Sequence, residues 1–142
     1  MLFSSLLICD FTMSISNAAM TISFNHPGVA TSPNYPDKYP NDLRNTTTIK
    51  VEKGMIIALK FTAFDVEPSE SDSPGSTSSC YYDHLTIKDG DGSILMEKTC
   101  GNSLPKGLVS KSNVVKLNFK TDESVAESGW SVTWSAEKPT GE

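Results

Sequence analysis

Apolar and polar side chains alternate with period two again and again along this chain, and no stretch of helical period interrupts the pattern. A two-residue repeat belongs to an extended strand with one face buried. "TIKV" sets Ile49 and Val51 on one face, and "IALKF" does the same for Ile57, Leu59 and Phe61. "VKLNFKT" points Val115, Leu117 and Phe119 one way and Lys116, Asn118 and Lys120 the other, while "WSVTW" groups Trp130, Val132 and Trp134. "HLTI" and "ILM" flank Asp89-Gly90-Asp91-Gly92, a hairpin signal because glycine supplies the positive φ of tight β-turns. Short strands punctuated by Gly, Pro, Asn and Asp predict an all-β fold, an antiparallel β-sandwich.

At 142 residues the chain is expected to hold one domain. Three stretches fall outside the alternation. "HPGVATSPNYPDKYPND" carries four of the 8 prolines and reads as an extended, turn-rich segment. Glu67 to Ser79 is a Ser-rich loop, and "AEKPTGE" reads as a tail or linker. The apolar run Leu2 to Ile8, followed by small residues near Ala18 and Ala19, is expected to be a secretory leader over 1–19, although no Lys or Arg precedes Lys38. It is too short to span a membrane. These boundaries leave a domain over 25–136 and a tail over 137–142.

With 12 basic against 17 acidic residues and no basic run of five, a nucleic-acid partner is not expected. Three cysteines are present, and loss of Cys9 with a leader would leave Cys80 and Cys100 as one pair. A bridge there closes a loop of about 20 residues, worth about 3 kcal/mol by chain entropy. It requires an oxidising compartment; two reduced thiols in a cytosolic protein are the alternative. Asn45-Thr46-Thr47 is a glycosylation sequon, which calls for an exposed asparagine in a secreted protein.

Three carboxylates stand at strand ends: Glu67 after "FTAFDV", Asp83 before "HLTI" and Asp122 after "VVKLNFKT". Loops gather at the two ends of a sandwich, so acids distant in sequence can converge there. Converged carboxylates repel one another unless a cation sits between them, and an all-oxygen ligand set suits Ca²⁺. Main-chain oxygens of Ser124 and Val125 could complete such a shell. Paired carboxylates could also serve glycoside hydrolysis with His26 or His84 as bases. No Ser or Cys sits in a nucleophile motif, however, and HExxH is absent, so catalysis is not expected. Trp130, Trp134, Tyr81 and Tyr82 offer a further, calcium-free recognition surface, although Trp130 and Trp134 share a strand face that suits the core.

The ordered set "GVATSPNYPDKYP", "LKFTAFDVE", "CYYDHLTIKDG", "CG..LP", "S.SNVVKLNFKTDES" and "GWSVTW" resembles the CUB domain over about Gly28 to Ala136. CUB domains are extracellular, jelly-roll-like sandwich modules of complement-activating proteases, tolloid-type metalloproteases and receptors. The resemblance implies Ca²⁺ held by Glu67, Asp83, Asp122 and main-chain oxygens of Ser124 and Val125, with Tyr35 of "S-P-x-Y-P" orienting the site. It further implies that Tyr35, Glu67 and Asp122 receive a Lys or Arg of an extracellular partner protein. Self-association is left open. The other implied readings are a calcium-independent, spermadhesin-like binder of sugar or protein and an accessory domain of a secreted protease.

Overall fold

A computed structural model describes residues 19–23 by their backbone, together with residues 27–69 and 80–140. Residues 1–18 of the leader expected over 1–19, Cys9, His26 and most of the Ser-rich loop lie outside the described residues, while Ala19 begins β1. Within them every regular element is a strand: β1 (Ala19–Ser23), β2 (Gly28–Thr31), β3 (Arg44–Lys50), β4 (Ile56–Asp65), β5 (His84–Asp89), β6 (Ile94–Thr99), β7 (Leu108–Val109), β8 (Val114–Lys120) and β9 (Gly129–Glu137). Two sheets form, ordered β1-β3-β8-β5-β6 and β2-β9-β4-β7. This is the expected sandwich, in which every pair is antiparallel except one. β1 runs parallel to β3 at the sheet edge, Ala19 opposite Thr46, ahead of residue 25 where the domain was expected to start.

Alternation puts its apolar residues where the sequence placed them. Ile49, Ile57, Val115, Leu117, Trp130 and Val132 are fully buried, and Leu59, Phe61, Phe119 and Trp134 nearly so. Burying each such side chain stabilises the fold by about 1.5–3 kcal/mol. One local feature breaks the phase. A bulge shifts the β4–β9 register between Phe61 and Ala63, so that Phe64 and Val66, three and five residues past Phe61, also turn inward. An inserted residue flips the faces of everything after it.

The β5–β6 hairpin turns at Asp89-Gly90-Asp91-Gly92, where Gly92 adopts φ +91° and its amide donates to Asp89 O at 2.9 Å. Asp89 is buried at 1% exposure and accepts from Ser112 Oγ at 2.5 Å, Lys111 N at 2.6 Å and Gly90 N at 2.7 Å. Burial alone would push this carboxyl up. The Ser112 hydroxyl and the two amides outweigh burial and hold it below the usual carboxylate range. A depressed folded value contributes stability above the unfolded value, and that stability is lost as pH falls through the folded one. Asp89→Asn is therefore expected to destabilise by about 1–3 kcal/mol at pH 7, because an NH₂ would face the Lys111 amide. The difference from the unaltered chain should vanish in denaturant melts below the folded carboxyl's titration.

Candidate metal centre

Glu67, Asp83 and Asp122 come from three separate segments, yet they each offer a carboxylate oxygen within 4.8 Å of the others. Covalent and main-chain links hold them there. The Cys80–Cys100 disulfide forms, with Cα atoms 5.8 Å apart, and fixes the loop three residues before Asp83. Gly101, next to Cys100, makes a two-bond bridge with Val66: Val66 N donates to Gly101 O at 2.9 Å and Gly101 N to Val66 O at 2.8 Å. Glu67 follows Val66 directly, so one covalent link and one β-bridge join it to Asp83.

Asp122 leaves β8 beside the same end. Its amide donates to Asp83 Oδ1 at 2.8 Å, and its carbonyl accepts from Asp42 N at 2.7 Å. Thr121 braces the turn, with its hydroxyl donating to Pro40 O and accepting from Leu43 N, each at 2.8 Å. The Ser124 amide donates to Asp122 Oδ1 at 3.2 Å, which turns the chain just after Asp122. Val125 then adopts φ +58°, a left-handed conformation that costs a β-branched residue energy. Ser124 and Val125 therefore lie on the loop where main-chain ligands were expected.

The tyrosine at this centre is Tyr39, not Tyr35. Tyr39 is buried at 2% exposure; its hydroxyl donates to Asp83 Oδ2 at 2.7 Å and accepts from Glu67 N at 3.0 Å. Its ring meets Phe119 edge to face at 4.9 Å, and Phe119 meets Trp130 likewise at 6.0 Å. Tyr35 sits four residues earlier, its amide donating to Ser32 O at 3.2 Å in the preceding turn. Both tyrosines precede a proline, so the motif alone does not tell them apart. Tyr39→Phe is expected to cost about 1–3 kcal/mol in denaturant melts, since it strips the Glu67 amide and a buried carboxylate of one partner each.

Asp83 is fully buried. Burial pushes its carboxyl above the usual range; the Tyr39 hydroxyl and the Asp122 amide pull it down, and the Asp122 charge pushes it up again. Burial likewise raises the Tyr39 phenol, with the Asp83 hydrogen bond adding to the rise and the Glu67 amide opposing it. Acids crowded in a poorly solvated corner are the environment a hard cation relieves. The donor set is oxygen only and Glu67 Oε2 is closed off from solvent, so these residues fit a calcium-type ion.

Other expected sites fall elsewhere. Asn45 stands in mid-β3 at 5% exposure, its Oδ1 accepting from Thr47 Oγ1 at 3.4 Å. The side chain turns into the sandwich, whereas a glycan acceptor is ordinarily exposed. Tyr81 and Tyr82 are 71% and 36% exposed, since the chain bends there instead of alternating. Trp130 and Trp134 are core residues. His84, one residue past Asp83, belongs to the opposite, outward face of its strand.

The CUB domain family model matches residues 16–134. Human tolloid-like protein 1 is 37% identical over 112 residues, 78% of this chain and 10% of that protein. The full extracellular region of zebrafish Gpr126/Adgrg6 superposes with a TM-score of 0.70 at 28% identity, over 89% of this chain and 15% of that one. The MASP-1 CUB2 domain bound to Ca²⁺ superposes with a TM-score of 0.69 at 28% identity, over 84% of this chain and 98% of that one. This chain thus spans about a tenth of the curated relative. No helix among the described residues is long and apolar enough to cross a membrane.

Proposed function

Because the chain belongs to the CUB family, we propose that it is an extracellular module that binds a partner protein through a calcium-organised acidic site. The observation that carries this reading is the convergence of Glu67, Asp83 and Asp122 within 4.8 Å from three distant segments. Calcium would be held by these carboxylates with main-chain oxygens of Ser124 and Val125, and it would supply charge neutralisation and fixed geometry. The MASP-1 domain bound to Ca²⁺ supports that assignment by its similarity.

Three carboxylates around a divalent ion retain about one negative charge, which suits a lysine ammonium or arginine guanidinium of the partner. Side chains already fixed by one another lose little freedom when that cation docks, which lowers the ordering cost of binding. Nothing in this role asks for bond making, so the module is non-catalytic in this proposal. Secretion follows from the disulfide and from the extracellular setting of the Gpr126/Adgrg6 match.

Calorimetry with CaCl₂ should give one site at about 10⁻⁴–10⁻³ M, the range of extracellular modules. From a displayed peptide library, the chain in millimolar CaCl₂ should select lysine- or arginine-bearing peptides that EDTA releases. Asp122→Ala should select none. Peptides retained in EDTA, or equally selected by Asp122→Ala, would favour the calcium-free reading instead.

A further inference from the structure

The outward face of the five-stranded sheet carries a charge opposite to that of the chain. In register across three strands, Arg44, Lys120 and His84 form one row, Thr46, Asn118 and Thr86 the next, and Thr48, Lys116 and Lys88 the third. Lys50 extends the face beyond, opposite Val114. Arg44, Lys50, Lys88, Lys116 and Lys120 are thus five of the 12 Lys and Arg residues in a chain of net charge −5, and no Asp or Glu occupies an outward position on β3, β5 or β8, while on the neighbouring β6 Glu97 is exposed beside Lys98. Lys98 of β6 adds its charge beside His84.

Like charges directly opposite in a sheet destabilise it, and here they occur twice, as Arg44–Lys120 and Lys116–Lys88. A face that keeps repelling pairs without interleaved acids is built for an anion. It also carries a shallow, open depression of 260 Å³ whose lining includes Arg44, Thr46, His84, Thr86, Asn118 and Lys120. Thr46 Oγ1 donates to Asn118 Oδ1 at 2.9 Å, which fixes the amide at its floor.

The two cationic rows lie four residues apart along the strands, about 13 Å, so the face matches an extended polyanion better than a single small ion. Between the rows stand hydroxyls and an amide, the groups that hydrogen-bond sugar hydroxyls. No aromatic occupies an outward position on β3, β5 or β8 to stack a nucleobase, and the apolar residues of the face, Val114 and the Ile94 opposite Lys88, stand at its margin, too few for the desolvated centre of a protein interface. We propose that this face binds a sulfated polysaccharide, with Arg44 and Lys120 at the depression and Lys88 and Lys116 one contact length away, independently of the carboxylate site at the end of the sandwich.

The test uses the full chain and a heparin octasaccharide in calorimetry. Binding is expected in both EDTA and CaCl₂, falling at least tenfold between about 50 and 200 mM salt as bound counterions are released. Arg44→Ala with Lys120→Ala should weaken it at least tenfold, and Lys88→Ala with Lys116→Ala should do the same. Lys60→Ala on the other sheet should change it less than twofold. Neither double variant should melt lower than the unaltered chain, since each removes a repelling pair. No binding at 50 mM salt, equal binding of the desulfated octasaccharide, equal losses from Lys60→Ala, or binding of polyglutamate in place of the saccharide would each overturn the proposal.

Discussion

Asp83→Asn is expected to remove the calcium-induced rise in melting temperature while leaving the calcium-free melt no lower than that of the unaltered chain. Both halves follow from the same corner. Asp83 is the buried member of the three acids, and its two oxygens already accept from Asp122 N and Tyr39 Oη. Asparagine keeps an oxygen for the Asp122 amide, and its NH₂ can donate to the Tyr39 hydroxyl, which then accepts from both that NH₂ and Glu67 N and gives up the bond it donates. What it loses is the charge. Without calcium that loss ends the burial of a charge and relieves the repulsion from Asp122, which offsets the bond the Tyr39 hydroxyl no longer donates. With calcium it removes a direct ligand, and since outer-shell partners alone are worth about 10–100-fold in metal affinity, a ligand should be worth more than about 100-fold.

Starting from about 10⁻⁴–10⁻³ M, the variant would then bind at about 10⁻²–10⁻¹ M or weaker and gain at most about 0.4 kcal/mol at 10 mM CaCl₂. The unaltered chain at 10 mM should gain about 1.4–2.7 kcal/mol by mass action, a rise of roughly 4–16 °C for a domain of this size. Paired thermal melts read both arms. A calcium shift preserved in Asp83→Asn would reject the carboxylate centre as the binding site, and a calcium-free melt well below the unaltered chain would show that Asp83 is structural first.

The strands were legible because burial on one face imposes a two-residue repeat on the side chains themselves. Trp130, Val132 and Trp134 are one face in the sequence and one face in the sheet. The three carboxylates were legible for a related reason: strand ends are where a sandwich collects its loops. The Cys80–Cys100 pair was legible from counting. Long-range hydrogen bonding was not. Tyr39 is separated from Asp83 by 44 residues, and a turn chooses it over Tyr35, with Asn34 at φ +69° and Asp37 N bonded to Asn34 O at 2.7 Å. The bulge after Phe61 was invisible, because an inserted residue looks like any other until its partner strand is known. The inward turn of Asn45 was hidden for the opposite reason: a sequon is read without regard to which way a strand faces. The basic face escaped notice because its residues are scattered singly along three strands and meet only through register.

Trp130→Ala is expected to have the largest effect on stability and to reach the metal centre as well. Trp130 is fully buried, and its removal leaves a cavity that a packed two-sheet core closes only in part, so about 3–5 kcal/mol is lost. That corresponds to a fall of at least about 10 °C in Tm for a domain of this size. Its indole Nε1 has no hydrogen-bond partner among the described residues, so truncation removes one unsatisfied donor, a small offset that does not change the sign. The second consequence follows from the aromatic chain. Trp130 supports Phe119, Phe119 supports Tyr39, and Tyr39 holds both the Asp83 carboxylate and the Glu67 amide. Loosening the first link should therefore weaken calcium binding several-fold. Trp134 is the control: it is as deeply buried, but it packs over Gly28, where an added Cβ would lie 2.7 Å from its ring, in the β2–β9 pair. Trp134→Ala should cost a similar amount in denaturant melts and leave the calcium affinity of the still-folded fraction unchanged. Equal effects of the two variants on calcium affinity would mean that general loss of packing, and not the Trp130–Phe119–Tyr39 line, connects the core to the carboxylates.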